Sequence, residues 1–124
     1  MRVLLVDDET ELVETLAERL AFRGVEADWV GGAADALERV KTKAFDLAVL
    51  DVKMPKIGGI ELKKRLQALY PAMKFIFLTG HGSEEDFTAG AAEAGSNFYL
   101  IKPVKIEALM KKMNEVMQHS GESR

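Results

Sequence analysis

Cysteine is absent from the 124-residue chain, which excludes disulfides, thiolate catalysis and cysteine-ligated zinc. Positive charge is in deficit as well. Lys and Arg number 17 against 20 Asp and Glu, a net charge of −3, so no surplus of cations draws the chain to nucleic acid or to anionic lipid. No apolar run is long enough for a signal-peptide core or a membrane span. The opening Val3-Leu4-Leu5-Val6 stops at Asp7 and Asp8, far short of either. Histidine occurs only twice. His81, between Gly80 and Gly82, has no second histidine nearby to complete a transition-metal site, and it reads as a flexible loop residue. These absences point to a cytoplasmic protein with no direct nucleic-acid or membrane contact, whose partners are proteins or small molecules.

What the chain does have is apolar residues in quantity. They make up 48% of it, beside 30% charged, enough for one ordinary domain with a buried core. Short runs rich in β-branched and aromatic residues fall at Arg2 to Val6, Val25 to Val30, Asp46 to Leu50, Lys74 to Leu78 and Asn97 to Ile101. These predict five strands. Between and after them lie helical patterns. In the first, Leu12, Val13, Leu16 and Leu20 share a face, Asp8 and Glu11 have the spacing of a capping box, and Gly24 follows the end. Further helices are predicted near Ala33 to Lys43, Gly59 to Leu69 and Glu84 to Ala94. The last repeats Ile106, Leu109, Met110, Met113, Val116 and Met117 on one face. Strand and helix alternate five times, which predicts a parallel sheet covered on both faces. The expected fold is α/β: a flavodoxin-like, doubly wound (βα)5 sheet in the order 2-1-3-4-5.

Such sheets bind ligands beyond the carboxyl ends of their strands, where the strand order reverses. Here that place lies between strands one and three, which end in Asp7-Asp8 and in Asp51. Singly, each acid has an ordinary explanation, as a helix cap, a solvated charge or a turn residue. Together they repel: a pair about 5 Å apart costs roughly 3 kcal/mol at an effective dielectric of about 20. A hard divalent cation offsets that repulsion, and an all-oxygen set suits Mg2+. Strands four and five bring Thr79 and Lys102 to the same edge. A hydroxyl donor and a compact ammonium both suit a phosphoryl oxygen.

Four segments in this order, V-D-D at Val6 to Asp8, D-V-K-M-P-K-I-G-G from Asp51 to Gly59, L-T-G at Leu78 to Gly80 and Y-L-I-K-P from Tyr99 to Pro103, resemble the receiver domain of two-component response regulators. The resemblance runs from Val3 to about Met117. It implies that Asp51 accepts a phosphoryl group from a sensor histidine kinase, a phosphotransfer protein or a small phosphodonor. It further implies that Asp8 and Asp51 ligate Mg2+ directly, that Asp7 acts through a water, and that the backbone carbonyl of Lys53 adds a ligand. Lys102 would pair with the phosphoryl group and Thr79 would bond one of its oxygens. Thr79 and Tyr99 occupy the switch positions, and Pro103 that of a cis proline. Lys53 and His81 flank the site where side chains tune phosphate lifetime. The glycines Gly58 and Gly59 are expected to serve a tight turn through their freedom to adopt positive φ.

The implied output is a change in the surface made by the helix near Glu84 to Ala94, strand five and the last helix. That surface would address a downstream protein or output domain until the site dephosphorylates itself. Residues 1–118 are expected to form the receiver unit, with 119–124 a polar tail or the start of a linker. Dimerisation on phosphorylation stays open. Three other functions compete. A phosphatase with an aspartyl-phosphate intermediate would need an acid two residues after Asp51, where Lys53 stands. A nucleotide module would need a glycine-rich loop after strand one, where acids stand. A purely structural domain would have no use for Asp51, Thr79 and Lys102 together.

Overall fold

Val3, Leu4, Leu5 and Val6 are all fully buried, the pattern of a strand covered on both faces. The computed structural model describes residues 1–80 and 98–122. In chain order it contains β1 (Arg2–Val6), α1 (Thr10–Phe22), β2 (Glu26–Val30), α2 (Ala33–Arg39), β3 (Leu47–Asp51), α3 (Gly59–Leu69), β4 (Lys74–Thr79), β5 (Tyr99–Ile101) and a C-terminal helix, Ile106–Glu122. The strands form one sheet in the order β2-β1-β3-β4-β5, every neighbouring pair parallel. This is the order expected from the alternation of runs.

Successive strand residues point to opposite faces, and the core divides accordingly. Leu4, Val6, Ala48, Leu50, Phe75 and Phe77 pack with Ala36 and Val40, at and just beyond α2, and with Leu62 and Leu66 of α3. The intervening residues Val3, Leu5, Leu47, Val49, Ile76 and Leu78 pack with Val13, Leu16 and Leu20 of α1 and with Leu109, Met113 and Val116 of the C-terminal helix. Helices therefore cover both faces, and all five strands deliver their carboxyl ends to one edge.

Local boundaries depart from expectation at three places. Asp8 and Glu11 form no capping box. The residue capping α1 is Glu9, which makes no side-chain cap hydrogen bond, and it is Asp7 Oδ1 that accepts the Glu9 N–H, at 2.9 Å. Helix α2 stops at Arg39 and does not reach Lys43. The Thr42 hydroxyl donates to the Arg39 carbonyl at 3.1 Å, the local competition by which threonine ends helices. β5 starts at Tyr99. The helix predicted near Glu84 to Ala94 lies outside the described residues, as do His81 and Asn97. Gly24, after α1, has φ +81, the left-handed conformation that glycine adopts without strain. Among the described residues no helix is long and apolar enough to cross a membrane.

Candidate functional site

The edge formed by the strand carboxyl ends is where the unusual burial lies. Apart from Lys63 on α3, the polar residues buried among the described ones are Asp7, Asp51 and Thr79, each at or just past the end of a strand. Asp7 follows β1, and its N–H donates to the Val30 carbonyl at 3.3 Å. Asp51 is the last residue of β3, opposite Leu78 of β4. Thr79 closes β4, and its carbonyl accepts the Lys102 N–H at 2.8 Å, so the backbone sets Lys102 beside it. Asp8 is exposed.

One oxygen each from Asp7, Asp8 and Asp51 lies within 4.8 Å of the others. Lys102 Nζ reaches into this group. It stands 2.8 Å from Asp7 Oδ2 and 3.4 Å from Asp51 Oδ1, and it donates a hydrogen bond to Glu9 Oε1. Asp7 Oδ2 is buried and makes no well-aligned hydrogen bond; the Lys102 ammonium, 2.8 Å away, is its close ionic partner. A buried carboxylate oxygen in that condition, in an all-oxygen set, fits a hard divalent cation.

Electrostatics follow from this crowding. Burial pushes the Asp51 carboxyl up to about 7, and the charge of Asp7 adds to the rise, against the opposing pull of Lys102. Asp7 is also raised, by burial first, partly offset by Lys102 and by the Glu9 N–H. For Lys102, burial favours the neutral amine. The carboxylates of Asp7, Glu9 and Asp51 outweigh that, and its pKa lies above the usual lysine value.

The loop after Asp51 is held by close backbone approach. The Gly59 N–H donates to the Val52 carbonyl at 3.0 Å. A Cβ on Gly59 would lie 2.2 Å from the Asp51 carbonyl oxygen, and one on Gly58 would lie 2.8 Å from that of Val52. Their conformational freedom is not what is used, contrary to expectation: Gly58 has φ −79, and the positive φ of this loop, 68°, belongs to Lys56. Space is the constraint. Gly59→Ala should therefore destabilise the fold by about 3 kcal/mol, the upper range for overpacking, because the clash is with backbone; urea unfolding measures it. A loss under about 0.5 kcal/mol would contradict the tight approach.

Tyr99 is buried, its ring 5.5 Å from that of Phe77 between centroids. The Lys102–Pro103 peptide is cis. The side chain of Lys53 is exposed beside the cleft. Glu9 is the residue that sequence reasoning left out; its signal is its place as the third consecutive acid after β1.

Comparison with known proteins gives this edge its context. The response regulator receiver domain family matches residues 3–114. The chain belongs to that family. As a receiver of two-component response regulators it works in phosphorylation-dependent signalling, a setting in which receivers meet histidine kinases and output domains. The receiver is 34% identical over 121 residues to the two-component response regulator PhoP of Pseudomonas aeruginosa, covering 98% of this chain and 53% of that one. It is 31% identical over 120 residues to the response regulator MprA of Mycobacterium avium, covering 97% and 52%. It thus spans about half the length of the curated relatives it matches. The expectation against nucleic-acid contact, read from this chain's charge, therefore does not extend to a longer protein. Among solved structures, the CheY-like receiver domain protein of Methanospirillum hungatei JF-1 superposes with a TM-score of 0.85 at 32% identity, covering 99% of this chain and 98% of that one. A receiver domain protein of Clostridium thermocellum gives 0.84 at 26% identity, covering 97% and 96%.

Proposed function

We propose that Asp51 is the phosphoacceptor of a magnesium-assisted signalling switch. The observation that carries this reading is the meeting of the Asp7, Asp8 and Asp51 oxygens within 4.8 Å, with the Lys102 ammonium among them. Asp8 and Asp51 would hold Mg2+ directly and Asp7 through water, with the Lys53 carbonyl as a further ligand. The ion, when bound, neutralises charge that builds on the transferred group.

In the transfer, a carboxylate oxygen of Asp51 forms a bond to phosphorus as the bond from phosphorus to the donor's imidazole nitrogen breaks, and the histidine leaves. Phosphoryl transfer through a loose transition state needs alignment and positive charge more than covalent help. Lys102 supplies fixed charge on one side of the cleft, and the Thr79 hydroxyl can donate to a phosphoryl oxygen. Water attack on the same phosphorus later breaks the new bond, restoring Asp51 and releasing phosphate. By their places in the sequence, two residues after Asp51 and two after Thr79, Lys53 and His81 are read as the side chains that set the lifetime.

The added group brings nearly two negative charges and new acceptor oxygens. Thr79 and Lys102 are drawn toward it, and the space vacated by Thr79 biases Tyr99, so the surface around β5 and the C-terminal helix changes its partner preference. We read residues 1–118 as the receiver unit, acting in the cytoplasm on a downstream protein or output domain.

The test uses the whole chain with Mg2+ and a small phosphodonor, followed by intact mass. An acid-stable, base-labile adduct is expected, absent in Asp51→Asn and absent without divalent metal. An adduct that persists in Asp51→Asn would place the chemistry elsewhere. No adduct at saturating donor would leave a structural domain.

A further inference from the structure

The residue at the N-cap of α1 is an odd choice. Ser, Thr, Asp and Asn are preferred there because a short side chain can reach back to the first free N–H groups. This chain has Glu9, whose side chain makes no cap hydrogen bond. It turns instead across the cleft to Lys102, 93 residues away in sequence, and accepts a hydrogen bond from its ammonium. A local rule broken in favour of a contact at this edge is what a functional site produces.

Lys102 has three donors and three carboxylates around it. Asp7 stands 2.8 Å away and Asp51 3.4 Å, so the ammonium sits toward the Asp7–Glu9 side. Glu9 differs from the other two in one respect: its side chain is 63% exposed, where that of Asp7 is 0% and that of Asp51 6%. Asp7 and Asp51 cannot move away from the cleft, but Glu9 can swing into solvent when a stronger anion competes for the ammonium.

We propose that Glu9 is a positioning residue for Lys102, holding the ammonium beside Asp7 and restraining its approach to Asp51. The proposal rests on the phosphoacceptor reading for its consequence, since a phosphoryl group arriving at Asp51 must win Lys102 from Glu9. Glu9 therefore slows phosphoryl uptake. Being exposed, it does so by a small factor that salt can erase.

The test compares the unmodified 124-residue chain with Glu9→Gln, which keeps the shape and removes the charge. With saturating Mg2+ and a small phosphodonor, the initial rate of adduct formation should rise about two- to five-fold in the variant at low salt, the range spanned by an exposed ion pair. At molar salt the two rates should converge. Equal or slower rates in Glu9→Gln, or a gap that survives high salt, would overturn the proposal. A second measurement needs no phosphodonor: hydrogen exchange of the Lys102 ammonium, followed by NMR, should be slower in the unmodified chain than in Glu9→Gln. Unchanged exchange overturns the anchoring role. If the unmodified chain forms no adduct while exchange does differ, the phosphoacceptor reading fails and the anchor stands.

Discussion

Replacing Lys102 with alanine should cost the metal-free protein about 3 kcal/mol near pH 8, the low end for breaking a buried ion pair by removal of one partner. Asp7 and Asp51 are buried side by side, and Lys102 is the cation between them. Without it, each charge raises the cost of the other. The loss is bounded because a carboxyl can take up a proton in place of keeping its charge, which also gives the effect a pH signature. Below about pH 5 most of the destabilisation should vanish, since protonated carboxyls no longer require the ammonium. Lys102 itself is held above its ordinary value, so its own charge persists across this range. Addition of Mg2+ should restore most of the loss by supplying the missing positive charge to the same oxygens. Chemical unfolding in chelator and in excess Mg2+ measures both. A penalty that is equal at pH 5 and pH 8, within roughly 0.5 kcal/mol, would mean that Lys102 contributes by packing and not by charge.

Asp51→Asn should have the opposite sign. A carboxyl raised from 3.8 to about 7 binds its proton more tightly in the folded state than in the unfolded one. Its contribution favours folding below about pH 4 and is lost as pH rises through about 7. At about 1.4 kcal/mol per pH unit, that span corresponds to roughly 4 kcal/mol of folding free energy forfeited by the metal-free protein at neutral pH. Asparagine has nearly the same shape and no charge to desolvate. The variant should therefore be more stable than the unmodified chain by about 2 kcal/mol or more near pH 8, part of the gain being offset because Lys102 loses one carboxylate. Near pH 4 the two should unfold alike. Thermal or urea unfolding in chelator between these limits tests the point, and parallel curves across the range would contradict it.

The backbone plan was open to reading because it depends on patterns that are local. Runs such as Leu47 to Leu50 and Phe75 to Leu78 are apolar at every position, which a helix of ordinary amphipathicity does not require, and their alternation with helical spacings leaves few topologies. The acids at Asp7, Asp8 and Asp51 were equally visible, as polar residues placed where apolar runs stop. The capping box was misread for a physical reason. Its letters are in place, but α1 begins one residue later than they imply, so that Glu9 and not Asp8 is the N-cap, and Asp7, fixed behind β1, accepts the Glu9 N–H. The role of Gly58 and Gly59 was misassigned because a sequence shows that a side chain is absent and not what would occupy its place; only the approach of the Asp51 and Val52 carbonyls supplies that. The contact from Glu9 to Lys102 joins two loops that meet only once the whole sheet has closed. No periodicity encodes it.

All of the acids in this cleft are translated within the first 51 residues, and the ammonium that sits among them arrives only at position 102. A nascent or truncated chain that stops short of Lys102 would hold its negative charges at one sheet edge without the ammonium that sits among them, and that edge would resist closing for the reason calculated above for Lys102→Ala. The last strand does more than complete the sheet. Its arrival, with Lys102 directly behind it, is the event that makes the acidic edge tolerable, 51 positions after the last of the acids that the ammonium serves.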